Sequence, residues 1–246
     1  FKKNQFINVI DQKNLGLPSA RNKGVKYSKG NFLYFIDSDD WIEPNALELM
    51  YQFSKSNNDS GFVFSDIILE GNIQKIIKKE YNFFEQLFLN QIPYSIFISR
   101  KNWIKYGGYD ESMKLGYEDW EFNIRLGYCN QFGKRLAKPL FHYNVSESGM
   151  LISKSSKYHS QIMNYIMTKN NKIYNFKSIL KVWIKWRGNK STYPLLIYIL
   201  WYLILKLFPK ALVSKIFILA RNFKWLFTRN KIFIKIKNFL ISDTNL

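Results

Sequence analysis

The sequence predicts an α/β fold: a mostly parallel sheet flanked by helices, followed by a basic, apolar helical region. Three observations predict it. Short apolar runs alternate with helix-period segments over the first 150 residues. One apolar run ends in a cluster of aspartates, and α/β sheets place ligands at the carboxyl ends of their strands. The charge is also divided: residues 1–147 carry 19 basic and 17 acidic side chains, whereas residues 148–242 carry 18 basic and no acidic ones. The 246 residues, 47% hydrophobic and 18% aromatic, suffice for a body over 1–150 and a second region over 151–246.

The elements follow in order. Residues 18–29 read as a helix, with Pro18 in its first turn and Gly30 as its stop. Ala20 and Gly24, four apart, predict close approach to a neighbour. Residues 31–36 (Asn-Phe-Leu-Tyr-Phe-Ile) are a buried strand running into Asp37-Ser38-Asp39-Asp40. Pro44 opens a helix to residue 56, with Ala46, Leu47, Met50 and Phe53 at helical spacing. Residues 61–69 and 95–99 are strands, with a helix around 83–90 between them. A helix over 118–129 carries Phe122, Leu126 and Cys129, and 136–145 is extended. Cys129, the sole cysteine, allows no internal disulfide and is expected to pack on its helix. His142 and His159 are the only histidines, so there is no zinc-type Cys/His cluster. The chain opens at Phe1 in what reads as mid-fold, which predicts an N-terminal truncation.

After about residue 150, apolar and aromatic residues mix with Lys and Arg alone. Residues 191–205 form a 15-residue uncharged stretch, short of the roughly 20 needed to span a bilayer. Amphipathic basic segments follow over 211–241. An all-basic region calls for an anionic partner. Aromatics beside Lys could stack on nucleic-acid bases, but the apolar stretch suits a lipid surface better. The expectation is an anionic membrane surface at the cytoplasmic face of the cell membrane, peripheral or re-entrant, and no nucleic acid.

Three segments carry chemistry. The carboxylates of Asp37-Ser38-Asp39-Asp40 can hold a divalent cation, and oxygen ligands favour Mg²⁺ or Mn²⁺; the competing reading is a turn that caps the helix near Pro44. Gly116-Tyr117-Glu118-Asp119-Trp120-Glu121 sets three acids and an exposure-prone Trp at a helix start. A carboxylate fixed there can serve as a general base, or the acids complement the helix dipole, with Glu121 and Arg125 as an i,i+4 pair. Residues 14–24 (Asn-Leu-Gly-Leu-Pro-Ser-Ala-Arg-Asn-Lys-Gly) read as a turn and a helix whose Arg21 can reach an anion. They are neither a Walker P-loop nor a dinucleotide fingerprint, and no nucleophile elbow is present.

Together these segments resemble family-2 glycosyltransferases of the GT-A fold. That family shows N-x-G-x-x-x-A-R-N-x-G, an apolar strand ending in D-x-D-D, then a G-G-[FY]-D-E loop leading to an E-D pair. Here these are residues 14–24, 32–40, 107–111 and Glu118-Asp119, in that order. Residues 139–149 resemble the family's closing strand and donor-side loop, so the likeness covers roughly residues 6–150. It implies a metal-dependent, inverting, hexosyl-type transferase in cell-surface polysaccharide or glycolipid synthesis. Its substrates would be a nucleotide-diphosphate sugar donor and a glycan or lipid-linked acceptor, with Mg²⁺ or Mn²⁺ as cofactor. Asp119 matches the catalytic base, with Glu118 supporting it. Asp37 matches a donor-sugar or ribose contact, Asp39 the metal ligand, and Arg21 with Asn14 the donor site. His142 lies where some relatives place a further metal or phosphate ligand. The family's first βα units, which hold the nucleotide base, do not appear in this sequence. The alternative readings are an inactive truncated remnant and a basic nucleic-acid-binding protein.

Overall fold

The computed structural model of the chain describes residues 6–71, 74–145, 158–189 and 191–216. The body runs α1 (Leu17–Tyr27), β1 (Phe32–Tyr34), β2 (Trp41–Ile42), α2 (Ala46–Ser56), β3 (Phe62–Gly71), β4 (Lys75–Ile77), α3 (Phe83–Gln86), β5 (Phe97–Ser99), α4 (Arg100–Lys105), α5 (Glu118–Tyr128) and β6 (Gly133–Val145). Three helices follow: α6 (His159–Lys169), α7 (Phe176–Trp186) and α8 (Leu195–Leu207). The expected boundary near residue 150 and the basic segments from 217 onward lie outside the described residues.

The α/β class holds, and the sheet order is β1-β5-β3-β6-β2 with β4 added to β3. Strand sense corrects the expectation of a mostly parallel sheet. Among the described strands only β3 and β6 run parallel; the other four pairings are antiparallel. The cause is connectivity. A parallel pair needs a crossover of a dozen or more residues, and the chain from β3 to β6, which carries α3, α4 and α5, supplies one. β3 and β4 instead turn directly back on each other.

Side-chain alternation builds two cores, one on each face of the sheet. On β3, Phe62 and Phe64 enter the larger core while Val63 enters the smaller. On β5, Ile98 and Phe97 divide in the same way. The smaller core is closed by Ala46 and Met50 of α2. The larger takes in α3, α5 and all three C-terminal helices, through Met163, Tyr174, Ile179 and Tyr198 among others. Glu85 of α3 is buried and accepts hydrogen bonds from the Thr192 N–H and the Tyr198 hydroxyl, tying α8 to the body. Gly127 of α5 is required by packing: a Cβ there would lie 2.0 Å from the Phe83 ring.

Several local expectations change. α1 buries Pro18, Ser19 and Val25, whereas Ala20 is exposed and a Cβ on Gly24 would meet nothing within 4 Å, so the small-residue pair does not mediate close packing. Leu47 of α2 faces solvent. The helix expected around 83–90 is a single turn. Cys129 caps α5 and is exposed, not packed. Trp120, expected to be exposed, is buried and donates its indole N–H to the Gln86 carbonyl at 2.6 Å.

Candidate active site

β1 delivers Asp37 at the end of its run, and residues 37–40 close into a turn through the Asp40 N–H and the Asp37 carbonyl at 3.2 Å. The turn does not cap α2, whose N-cap is Asn45. Asp40 is bound into the framework instead. It accepts from the Asn144 N–H at 2.8 Å and from the Tyr94 hydroxyl, and that hydroxyl in turn accepts from the Asp37 N–H at 2.8 Å. Burial raises Asp40 above the ordinary carboxylate range, against the pull of these two hydrogen bonds.

Arg21 joins this turn to the start of α5. Its guanidinium donates to Asp37 Oδ1 at 2.7 Å and to Glu118 Oε1 at 3.0 Å. It lies over the Tyr94 ring, 4.5 Å from the centroid, with Tyr109 5.7 Å away. The Arg21 and Glu118 side chains are only 8% and 5% exposed, so each depends on the other for charge compensation.

α5 starts from a constrained loop: Gly116 has φ 105° and Tyr117, its N-cap, sits in the left-handed region at φ 65°. This places Glu118 and Asp119 side by side in the first turn. Burial, and then the adjacent Asp119 carboxylate, push Glu118 above the ordinary carboxylate range, while Arg21 pulls it down. Burial also pushes Asp119 up, against Arg21, the Asn90 side chain and backbone N–H groups of the first turn. Asn90 Nδ2 donates to Asp119 Oδ2 at 3.0 Å and fixes the carboxylate's direction. Two coupled acids of raised pKa, one aimed by an amide, suit general-base work near neutral pH.

The motif residues also explain one another. Asn22, next to Arg21, donates to the Tyr109 carbonyl at 2.8 Å and accepts from the Tyr109 N–H at 3.0 Å. Gly108 has φ 60°, and a Cβ there would fall 2.9 Å from Asn22 Oδ1. Arg125, paired with the buried Glu121 at 2.9 Å, donates to the Tyr106 and Gly108 carbonyls. The Gly107–Gly108 loop is thus held from both sides, and it holds α5 in place.

Arg21, Asp37, Tyr94, Glu118 and Asp119 line a cavity of about 530 Å³, backed by apolar side chains of β3 and β6 such as Ile67, Leu69 and Phe141. Asn14, Asp39 and His142 are not part of that lining. Asn14 accepts from the Gly16 N–H at 3.1 Å in an exposed turn before α1. Both ring nitrogens of His142 are engaged by carboxylates, Nδ1 with Glu70 at 2.7 Å and Nε2 with Glu43 at 2.9 Å, and its ring stacks on Trp41. Asp39 is exposed and makes no hydrogen bond or ion pair among the described residues. No group of three or more metal-type ligands occurs among the described residues. Asp37 and Asp39 are oxygen donors on one turn, the donor type that hard cations take, and one Asp37 oxygen is held by Arg21 at 2.7 Å.

Sequence reasoning missed Tyr94, Asn90 and Tyr109 as organisers. Each acts on a residue more than 15 positions away; no local pattern marks Tyr94 or Asn90, and Tyr109 was visible only as a letter of the 107–111 motif.

Comparison with known proteins agrees with this geometry. Residues 2–165 match the model of "Glycosyltransferase like family 2", and the chain belongs to that family. It is 29% identical over 168 residues to the glycosyltransferase GlyA of Streptococcus pneumoniae, covering 61% of this chain and 23% of that protein. It is 24% identical over 179 residues to the minor teichoic acid biosynthesis protein GgaB of Bacillus subtilis, covering 69% and 20%. The chain thus spans about a fifth to a quarter of the length of these two relatives. The structure of S. aureus TarS 1-349 in complex with UDP-GlcNAc superposes with a TM-score of 0.51 at 18% identity, covering 71% of this chain and 55% of that one. The GT-A-like α/β fold is therefore shared.

Proposed function

We propose that the cavity transfers a sugar, with inversion, from a nucleoside-diphosphate donor to an acceptor hydroxyl. The observation that carries this reading is Asp119, held by Asn90 at the cavity wall beside the Arg21–Asp37–Glu118 cluster. Asp119 accepts the proton of the acceptor hydroxyl as that oxygen attacks the anomeric carbon, and the nucleoside diphosphate leaves from the opposite face. Glu118 keeps Arg21 oriented toward Asp37, and Asp37 contacts the donor's ribose or sugar. Asp39, with Asp37 beside it, would hold Mg²⁺ or Mn²⁺, which when bound neutralises charge on the leaving diphosphate. Holding both substrates in one cavity supplies orientation.

The UDP-GlcNAc bound by the TarS structure supports a nucleotide-sugar donor. The teichoic acid role of GgaB supports a place in cell-surface polysaccharide or glycolipid synthesis. The test is Asp119→Asn in the full-length protein, assayed with a panel of nucleotide sugars. Transfer should be lost while donor binding, followed by calorimetry, is kept. Near-normal transfer in the variant would remove Asp119 from the mechanism.

A further inference from the structure

α7 and α8 both pack on the same core, but α7 mixes lysines with exposed apolar residues whereas the outward row of α8 is leucine alone. α7 lays Ile179 into the core, with Trp183 and Trp186 packed against it, and Lys177 and Lys181 stand on its opposite side, exposed. Phe176, Leu180 and Ile184 of α7 are exposed as well, interleaved with these lysines. α8 inserts Tyr198, with Leu195, Trp201, Tyr202 and Leu205 packed around it. At 3.6 residues per turn, the positions diametrically opposite are Leu196, Leu200, Leu203 and Leu207. These four leucines are 64%, 50%, 41% and 73% exposed. Phe208 and Leu212, just beyond the helix, are exposed as well. Single exposed leucines need no explanation, but a continuous outward row of them does.

We propose that this leucine face of α8 docks on an anionic lipid bilayer, with α8 lying in the interface. Charge selects the occupant. Residues 148–242 carry 18 basic side chains and no acidic ones, and Lys206 and Lys210 stand exposed at the end of the leucine row. A second copy presenting the same surface would bring like charges together, whereas anionic headgroups neutralise them. Length selects the mode. α8 has 13 residues, and no helix among the described residues is long and apolar enough to cross a membrane. A short helix with one leucine face lies along the interface. The proposal stands apart from the reaction above, since it uses no residue of the cavity.

The test uses the full-length protein and vesicles of phosphatidylcholine, with or without phosphatidylglycerol. Wild type should float with the anionic vesicles, and Leu200→Glu/Leu203→Glu should weaken that binding about tenfold or more. Because these leucines face away from the core, Leu200→Ser/Leu203→Ser serves as a milder second variant with the same expected direction. An environment-sensitive dye on Leu203→Cys, in a Cys129→Ser background, should shift to the blue only when anionic vesicles are added. The same dye on Lys181→Cys should shift much less. Vesicle binding unchanged in both leucine variants would overturn the proposal, as would equal binding to neutral vesicles. A dye at position 203 already in an apolar setting without vesicles would assign the face to another part of the chain or to a second copy. Capture of RNA with no dependence on the leucines, together with no vesicle binding, would overturn it in favour of a nucleic-acid partner.

Discussion

In the α/β body, the buried carboxylates are held by named partners. Glu118 has Arg21, Asp66 has Arg135 at 2.6 Å, and Glu121 has Arg125. In helices α6 to α8 most of the basic side chains face solvent, and the outward positions of α8 are leucines. The body therefore spends its charge on internal geometry, fixing loops and tuning acids. The helical region presents its charge and apolar surface outward, where only another surface can answer them. The strongly basic composition of the chain is thus a property of one region and says nothing about the cavity.

The comparison can be broken most directly at Asp119. Replacement by Asn should lower turnover by about 10³-fold, the range for loss of a positioned general base, with little change in donor affinity or thermal midpoint. A loss of stability as large as the loss of turnover would make Asp119 a framework residue like its neighbours. Arg21→Ala comes next. It leaves Glu118 buried and Asp37 half-buried without their cation, and should cost about 3 kcal/mol or more in urea unfolding. A cost near zero would mean that the two acids do not depend on Arg21.

These predictions rest on features of unequal visibility in the sequence. The Asp37–Asp40 turn and the Glu118-Asp119 pair are legible because each is a contiguous run at an element boundary. Their bridge is not, because Arg21 and Glu118 are 97 positions apart, and only the fold brings them together. The same applies to Asn22 and Gly108, which were visible as motif letters but not as a clamp. Strand sense was misread because alternation of strands and helices does not fix direction when a hairpin intervenes. Cys129 and Trp120 exchanged their expected environments because helical periodicity alone cannot say which face a neighbouring element covers.

Smaller effects sharpen the contrast. Asp39→Ala should weaken Mn²⁺ binding about tenfold or more in the presence of nucleoside diphosphate, read by calorimetry or by paramagnetic line broadening. Unchanged Mn²⁺ affinity would leave the exposed aspartate without that role. On α8, Leu203→Glu should change unfolding free energy by no more than about 0.5 kcal/mol, as for an exposed position. Leu205→Ala, on the packed side, should cost more than that. A large loss on the outward face would mean that it is already buried.

In the proposed reaction Asp119 is the base and Glu118 supports it. The most direct measurement is the pH profile of kcat/KM for wild type and Glu118→Gln. Because burial raises both acids and the Asp119 charge raises Glu118 further, the wild-type acid limb should lie above the ordinary carboxylate range of about 4. Activity should be full above that limb and lost as pH falls through it. Glu118→Gln removes the second acid but keeps a partner for Arg21; burial, not the Glu118 charge, holds Asp119 up, so the limb should stay above the ordinary carboxylate range. A limb that falls to about 4 in the variant would contradict the account, because Glu118 and not Asp119 would then set it.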